Sequence, residues 1–298
     1  MSKRIGIVGG GIIGLTTAEV IRRRFVDAEI NIFDQDMIGR GASSYSVGLS
    51  FPFARSQQVR DLIHPLDEDW PELLMGVDNV QELYRPLSFV GLSGKGRSAE
   101  TLSGFLPGAA QNEDIAPSFR EHLGFGNANF GFETVSAADC FWGDVGNICQ
   151  VIAKRLRQSP NVSLYEATEI VNLNANASRP VFRDQRGAMH EFDFVVIAIG
   201  PYTFSGPFSG MSDLLGLRTK RIVALHIDSP PPSDAPIVFY HDADAFILPQ
   251  PEARRWLYSF TCDDWDVQPD RGYCEFPMKI SIRQMEYCVN SRPLSSIR

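Results

Sequence analysis

The chain has 298 residues, enough for one large or two ordinary domains with a real hydrophobic core. Its 44% hydrophobic and 21% charged residues are those of an ordinary soluble globular protein, and a net charge of −8 argues against nucleic acid or an anionic membrane as the main partner. No apolar run approaches the roughly 20 residues of a membrane span, and no membrane association is expected.

The first strand begins at Arg4 or Ile5, which leaves no room for a signal or transit peptide, so a cytoplasmic protein is expected. Cys140, Cys149, Cys262, Cys274 and Cys288 are odd in number and have no C-x-x-C spacing, which fits reduced thiols. His64, His122, His190, His226 and His241 are scattered, and no metal site is expected.

Ile5–Val8 reads as a buried parallel strand, apolar without alternation apart from Gly6. Directly after it Gly9, Gly11 and Gly14 spell G-x-G-x-x-G. The spacing predicts a helix with Gly14, Ala18, Ile21 and Phe25 on one face, close against the sheet. A second strand, "AEINIF", ends at Asp34. Gly9 makes the tight turn, Gly11 admits phosphates, Gly14 permits close packing, and Asp34 can bind ribose hydroxyls. This is a dinucleotide fingerprint in register. An acid at position 34 disfavours NADP; NAD and FAD both remain.

The segment from Asp34 to Ser56, "DQDMIGRGASSYSVGLSFPFARS", is rich in small and hydroxyl residues. A simple NAD-dependent dehydrogenase would continue into a short crossover helix; small residues instead suit a segment tracking a long, bulky ligand, or a plain flexible loop. Later, "DVGNICQVIAKRLRQSPNVSLYEATEIVNL" predicts a helix over Val145–Arg157, a turn at Ser159-Pro160 and a strand from Val162. "HEFDFVVIAIGPYT" predicts an apolar strand ending at Gly200. Further strands are expected in "LSFVGLS", "FGFETVS", "TKRIVALHID", "APIVFYHD", "DAFILPQ" and "RWLYSFT", with turns at Pro230–Pro232 and at Asp242/Asp244. The carboxylate pairs in "DEDW" and "CDDW" read as solvated turns rather than acid–base pairs.

In this order the fingerprint, "GASSYSVGLSFP", the helix before "VSLYEATEIVNL" and "VVIAIG" resemble the FAD-dependent D-amino acid oxidase and glycine oxidase superfamily, over most of residues 3–265. The resemblance implies an α/β fold: a Rossmann-like FAD-binding domain of the glutathione-reductase-like kind with a second, antiparallel-sheet substrate domain. Residues 1–53 and 141–203 would form the FAD-binding domain, residues 54–140 and 204–277 the substrate domain, and residues 278–298 a C-terminal helix and truncated return. It implies FAD as cofactor, with Gly9, Gly11 and Gly14 around the pyrophosphate and Asp34 at the adenosine ribose. Ser43 and Ser44 would approach the phosphates and ribityl chain, Gly48 and Leu49 the isoalloxazine ring, Ile170 the adenine, and Gly200 the cofactor where the strand closes. Leu49 and Ile170 are equally explained as core packing.

The implied reaction is oxidation of the C–N bond of an amino acid or related amine, by transfer of the Cα hydride to flavin N5. The protein then orients the amine and binds the carboxylate, and no Ser/His/Asp set is required. Tyr240 and Phe246 match positions of substrate-facing aromatics, and Phe51 a position that is commonly polar. Phe246 has no hydroxyl, which points to a bulky, apolar or unusual substrate; Phe51 and Phe246 are equally read as core aromatics. Arg55 and Arg221 are candidate carboxylate binders, or surface residues.

The tail "PMKISIRQMEYCVNSRPLSSIR" places Met278, Ile282, Met285 and Val289 on one helical face and then departs from the family. Members continue into a stretch with an arginine in a G-x-R-P setting and a glycine-rich loop at the flavin. "SRPLSSIR" has an Arg-Pro without the glycine. Three accounts are open: a fragment of a longer oxidase, which is favoured; a complete subunit whose missing wall comes from a partner chain or a second copy; or a degenerate member that binds a nucleotide weakly and does no amine chemistry, as a non-catalytic subunit of a heteromeric oxidase would. A missing flavin wall implies weak FAD retention and an exposed apolar face.

Overall fold

The computed structural model describes residues 2–50, 53, 56–63, 73–74, 80–94, 96–104, 110–111, 132–136, 140–175, 177–204, 206–210, 214 and 216–267. Phe51, Arg55, the "DEDW" stretch and the 278–298 tail lie outside them. Its centre is a four-stranded parallel sheet in the spatial order Phe194–Ile197, Arg4–Val8, Glu29–Phe33, Val162–Tyr165. The strand order reverses between Arg4–Val8 and Phe194–Ile197, and it is at the carboxyl ends beside such a reversal that open α/β sheets bind ligands.

Strand alternation divides the sheet's two faces. Ile5, Ile7, Ile30 and Ile32 face two helices, Ile12–Arg24 and Val145–Arg157, and share a core with Leu15, Ala18, Ile148, Ile152 and Leu156. The Asp144 carboxylate caps the second helix by accepting from the Asn147 N–H at 3.0 Å. Val8 and Phe33 face the other way, into a cluster with Ile170, Phe182 and Phe192. That face is covered by an antiparallel meander of Ile170–Asn174, Val181–Asp184 and Met189–Glu191. It also explains the gap in the first strand's apolar run: a Cβ on Gly6 would stand 2.7 Å from the Phe192 ring. Phe25 departs from expectation. The helix ends at Arg24, and Phe25 takes φ −130°, ψ 79° and stays 62% exposed.

A seven-stranded sheet gathers both long excursions from the parallel sheet. Its spatial order is Lys220–Ile227, Arg255–Trp265, Ala245–Gln250, Ile237–Tyr240, Phe89–Gly94, Phe132–Ser136, Ala110–Gln111. It is not wholly antiparallel: Ile237–Tyr240 runs parallel to Phe89–Gly94, because the two strands come from different excursions and no hairpin joins them. A small sheet of Leu49–Ser50, Phe141–Gly143 and Tyr84–Pro86 lies between the two larger ones in the chain's path. Two further differences are local. The strand expected to reach Gly200 ends at Ile197, and "CDDW" is not a turn but the end of the long strand Arg255–Trp265, with both aspartates exposed.

Candidate functional site

At Val8 the chain leaves the central strand and turns at Gly9, whose φ of +106° is one that side-chain-bearing residues rarely adopt. Space there is closed as well, since a Cβ would stand 2.2 Å from the Ala198 carbonyl oxygen. Gly14 is tighter still. A Cβ there would meet the Gly9 carbonyl oxygen at 1.9 Å, so the helix rests on the turn itself. Gly11 precedes the helix with no side chain to cap it, and the first turn carries no acid. A helix start of this kind favours an anion.

The segment after Asp34 folds back over this turn. The Gly39 N–H donates to the Gly10 carbonyl at 2.8 Å, and the Ser43 hydroxyl accepts from the Ile12 N–H at 3.0 Å. A Cβ on Gly11 would come within 2.9 Å of that hydroxyl, so glycine keeps open the space between helix start and serine. Ser44 is exposed, and its hydroxyl donates to the Gly41 carbonyl at 2.9 Å. Beneath Ser43 lies Cys149, whose thiol is pushed up to about 11 by burial against an opposing hydrogen bond from Ser43; burial holds Cys140 at about 12. Neither is a nucleophile at neutral pH.

Asp34 closes the turn from the other side. Its Oδ2 accepts from the Gly10 N–H at 2.7 Å and its Oδ1 from the Asp36 N–H at 2.8 Å. Burial raises its pKa above the usual carboxylate range, the two backbone N–H groups oppose this, and the charges of Asp36 and Glu166 add to the rise. Gly10 escaped the sequence reading, yet a Cβ there would stand 2.2 Å from Ile38 Cδ1. Turn, helix start, Ser43 and Asp34 form a cradle whose shape and donors fit the diphosphate and ribose of a dinucleotide. Three acids beside the ribose position oppose a 2′-phosphate.

From Ser43 the chain runs to Gly48, at φ +71°, where a Cβ would stand 1.7 Å from the Gly143 carbonyl oxygen. The Gly143 N–H donates to the Gly48 carbonyl at 2.8 Å, and Leu49 pairs with Trp142. Val47, Leu49, Phe53 and Trp142 then pack against one face of the seven-stranded sheet, on Phe89, Ile237, Phe239, Leu248 and Leu257. Phe246 belongs to this face and stands opposite Phe239 in the ladder. Phe53 meets His241 edge-on at 4.9 Å, and His241 meets Phe239 at 4.5 Å.

Not every candidate converges there. Tyr240 is buried on the opposite face with Leu92, Val238 and Tyr258, so the structure separates it from Phe246. The sequence held half the signal: alternation along Ile237–Tyr240 puts Tyr240 on the face away from Phe239, while only the ladder sets Phe246 beside Phe239. Arg221 lies on the outermost strand and pairs with Asp264 at 3.6 Å. Ile170 opens the meander with its side chain in the core beside Phe33. Gly200 begins a short 3-10 turn, and a Cβ there would meet nothing within 4 Å, so no close protein contact demands glycine.

A family model described as FAD dependent oxidoreductase matches residues 4–283. The chain belongs to this family. Solved structures with a similar fold include three whose names describe amino acid chemistry. To a glycine oxidase from Geobacillus kaustophilus it is 20% identical, with a TM-score of 0.65 over 88% of this chain and 74% of that one. To an L-proline dehydrogenase from P. horikoshii it is 14% identical, with a TM-score of 0.71 over 96% and 75%. To an L-amino acid deaminase from Proteus myxofaciens it is 16% identical, with a TM-score of 0.64 over 87% of this chain and 58% of that one. At these identities the likeness is one of fold. A sequence comparison with curated proteins gives no match. The 34–50 segment links the glycine turn and its helix start to the aromatic face of the second sheet. Among the described residues no helix is long and apolar enough to cross a membrane.

Proposed function

We propose that this chain binds FAD and oxidises the C–N bond of an amino acid or related amine. The carrying observation is the single segment that leaves Asp34, supplies Ser43 to the helix start and ends as Leu49 against the aromatic face. A ligand with a diphosphate at one end and a broad ring at the other follows that path. Gly9, Gly11, Gly14, Ser43 and Asp34 would hold the diphosphate and ribose, Ser44 the adjoining chain, Gly48 and Leu49 the ring, and the backbones of Ile170 and Gly200 the remaining edges. Residues 1–53 with 141–203 would act as the FAD-binding domain, and residues 54–140 with 204–277 as the substrate domain.

FAD, when bound, would supply the acceptor for the hydride that leaves the substrate carbon bearing the amine. The chain's own part is to orient that carbon and exclude water. Phe246, Phe239 and Phe53 form an apolar wall suited to the first task, and the burial of Phe239 with the partial burial of the other two supports the second. The reading is supported by the family match and by relatives whose names describe glycine, proline and amino acid chemistry. A cytoplasmic site of action is part of the same proposal.

The test is the visible spectrum of the purified chain mixed with FAD and passed through a desalting column. Flavin bands that stay with the protein, and bleach anaerobically on adding an amino acid or amine, are the expected result. A colourless protein would sink the claim for this chain alone. Copurification of a second chain that restores the flavin would then favour the other reading, a nucleotide-binding subunit dependent on a partner.

A further inference from the structure

The seven-stranded sheet ends at Lys220–Ile227, an eight-residue strand with no hydrogen-bonded neighbour on its outer side among the described residues. Long open edges template pairing with another chain, and proteins blunt them with charge, proline or bulges. Here the blunting is confined to one end. Lys220 and Arg221 are basic, and the register shifts between Lys220 and Ile222. From Ile222 to Ile227 the strand is regular, and it contains no proline. Ile222 is 64% exposed, and Ala224 and His226, on the same face, are exposed too. Just past the other end stands an exposed acid, Asp228.

We infer that this edge is a self-complementary interface for a second copy of the chain, the two strands pairing antiparallel about a two-fold axis at Ala224. Antiparallel pairing of a strand with itself requires a residue on the axis, and Ala224 is the small one at the strand's centre. That register sets Lys220 of each copy opposite Asp228 of the other, and Ile222 opposite His226. In this arrangement each Lys220 meets an acid of the other copy. The Lys220 ammonium lies 4.9 Å from the Trp265 ring, which holds the side chain at the edge and leaves its charge available. Arg221, paired with Asp264, is not needed. The two sheets become one continuous sheet, and both open edges disappear.

The test is sedimentation velocity on the full 298-residue chain over a range of concentrations, with circular dichroism to confirm folding of each variant. The wild type is expected to dimerise reversibly. Lys220→Asp and Asp228→Lys each place like charges opposite at two symmetric points and are expected to weaken the dimer by about tenfold or more. The double swap, Lys220→Asp with Asp228→Lys, is expected to restore it. Ala224→Lys, which brings two ammonium groups together on the axis, is expected to abolish it. A wild type that stays monomeric up to about 100 μM would overturn the inference. So would a dimer indifferent to Ala224→Lys, or a double swap no tighter than the single variants, since either would put the interface elsewhere.

Discussion

Among the described glycines, Gly14 and Gly48 leave the least room for a side chain. A methyl group at either position would sit inside the contact distance of a backbone carbonyl oxygen, 1.9 Å from Gly9 and 1.7 Å from Gly143. Neither neighbour is the end of a flexible side chain, so the backbone itself must move. Gly14→Ala is expected to lift the helix from the turn, lowering stability by about 1–3 kcal/mol in a thermal melt and releasing flavin on desalting. Unchanged melting and flavin retention would show that the turn has slack the geometry does not reveal. Asp34 acts differently, as an acceptor rather than as a space. Asp34→Ala leaves the Gly10 and Asp36 N–H groups without their carboxylate, and FAD affinity is expected to fall by about tenfold to a hundredfold in a fluorescence titration. Gly14 and Asp34 were legible in the sequence because each is fixed by local spacing, whereas Gly48 was singled out only by the family resemblance, its constraint coming from distant Gly143. Gly10 was not legible, since its constraint comes from Ile38, which only the folded loop brings near.

The two helices packed on the parallel sheet are tied by one carboxylate. Glu19, on the first helix, has a fully buried side chain that accepts from Arg22 at 2.8 Å and Arg23 at 2.8 Å on its own helix, and from Arg155 on the other at 3.2 Å. Burial pushes its pKa upward, but the hydrogen bonds from the three arginines outweigh that and hold it at about 2, below an ordinary 4.5. A depressed carboxylate stabilises the fold fully above its unfolded pKa and loses that contribution as pH falls through the folded one. The window is therefore pH 4.5 down to about 2, and the contribution is about 3 kcal/mol. Glu19→Gln is expected to cost a similar amount at pH 7 and to flatten the acid limb of a melting-temperature profile across that window. A parallel acid limb in the variant would assign the pH dependence to other carboxylates. Both helices were predictable from their periodicity, Val145–Arg157 to the residue, whereas this tie was not. Its partners lie far apart in the chain, and a glutamate beside arginines reads from sequence as a solvated face.

At the scale of the whole molecule, the strands of the second sheet were legible one by one but their order was not. Hydrophobic runs mark Ile237–Tyr240 and Phe89–Gly94 as strands, yet nothing local says that they pair, or that they pair in parallel. The assembled sheet then has two faces with different partners: one packs on Val47, Leu49 and Phe53, the segment that comes from the glycine turn, and the other does not. Two cavity-creating substitutions of similar kind would separate these roles. Leu248 is fully buried on the first face and Val238 fully buried on the second. Leu248→Ala is expected to cost about 2–5 kcal/mol and Val238→Ala about 1–3 kcal/mol in denaturant unfolding. Only the first removes support from Leu49, so only the first should weaken FAD binding in a titration run where both variants remain folded. If both variants bind flavin as tightly as the parent, the sheet and the cradle are energetically independent, and the aromatic face does not position the ring. If Leu248→Ala alone weakens binding, the cofactor's ring end is held by the second sheet through the 47–49 segment, and the two halves of the molecule form one site.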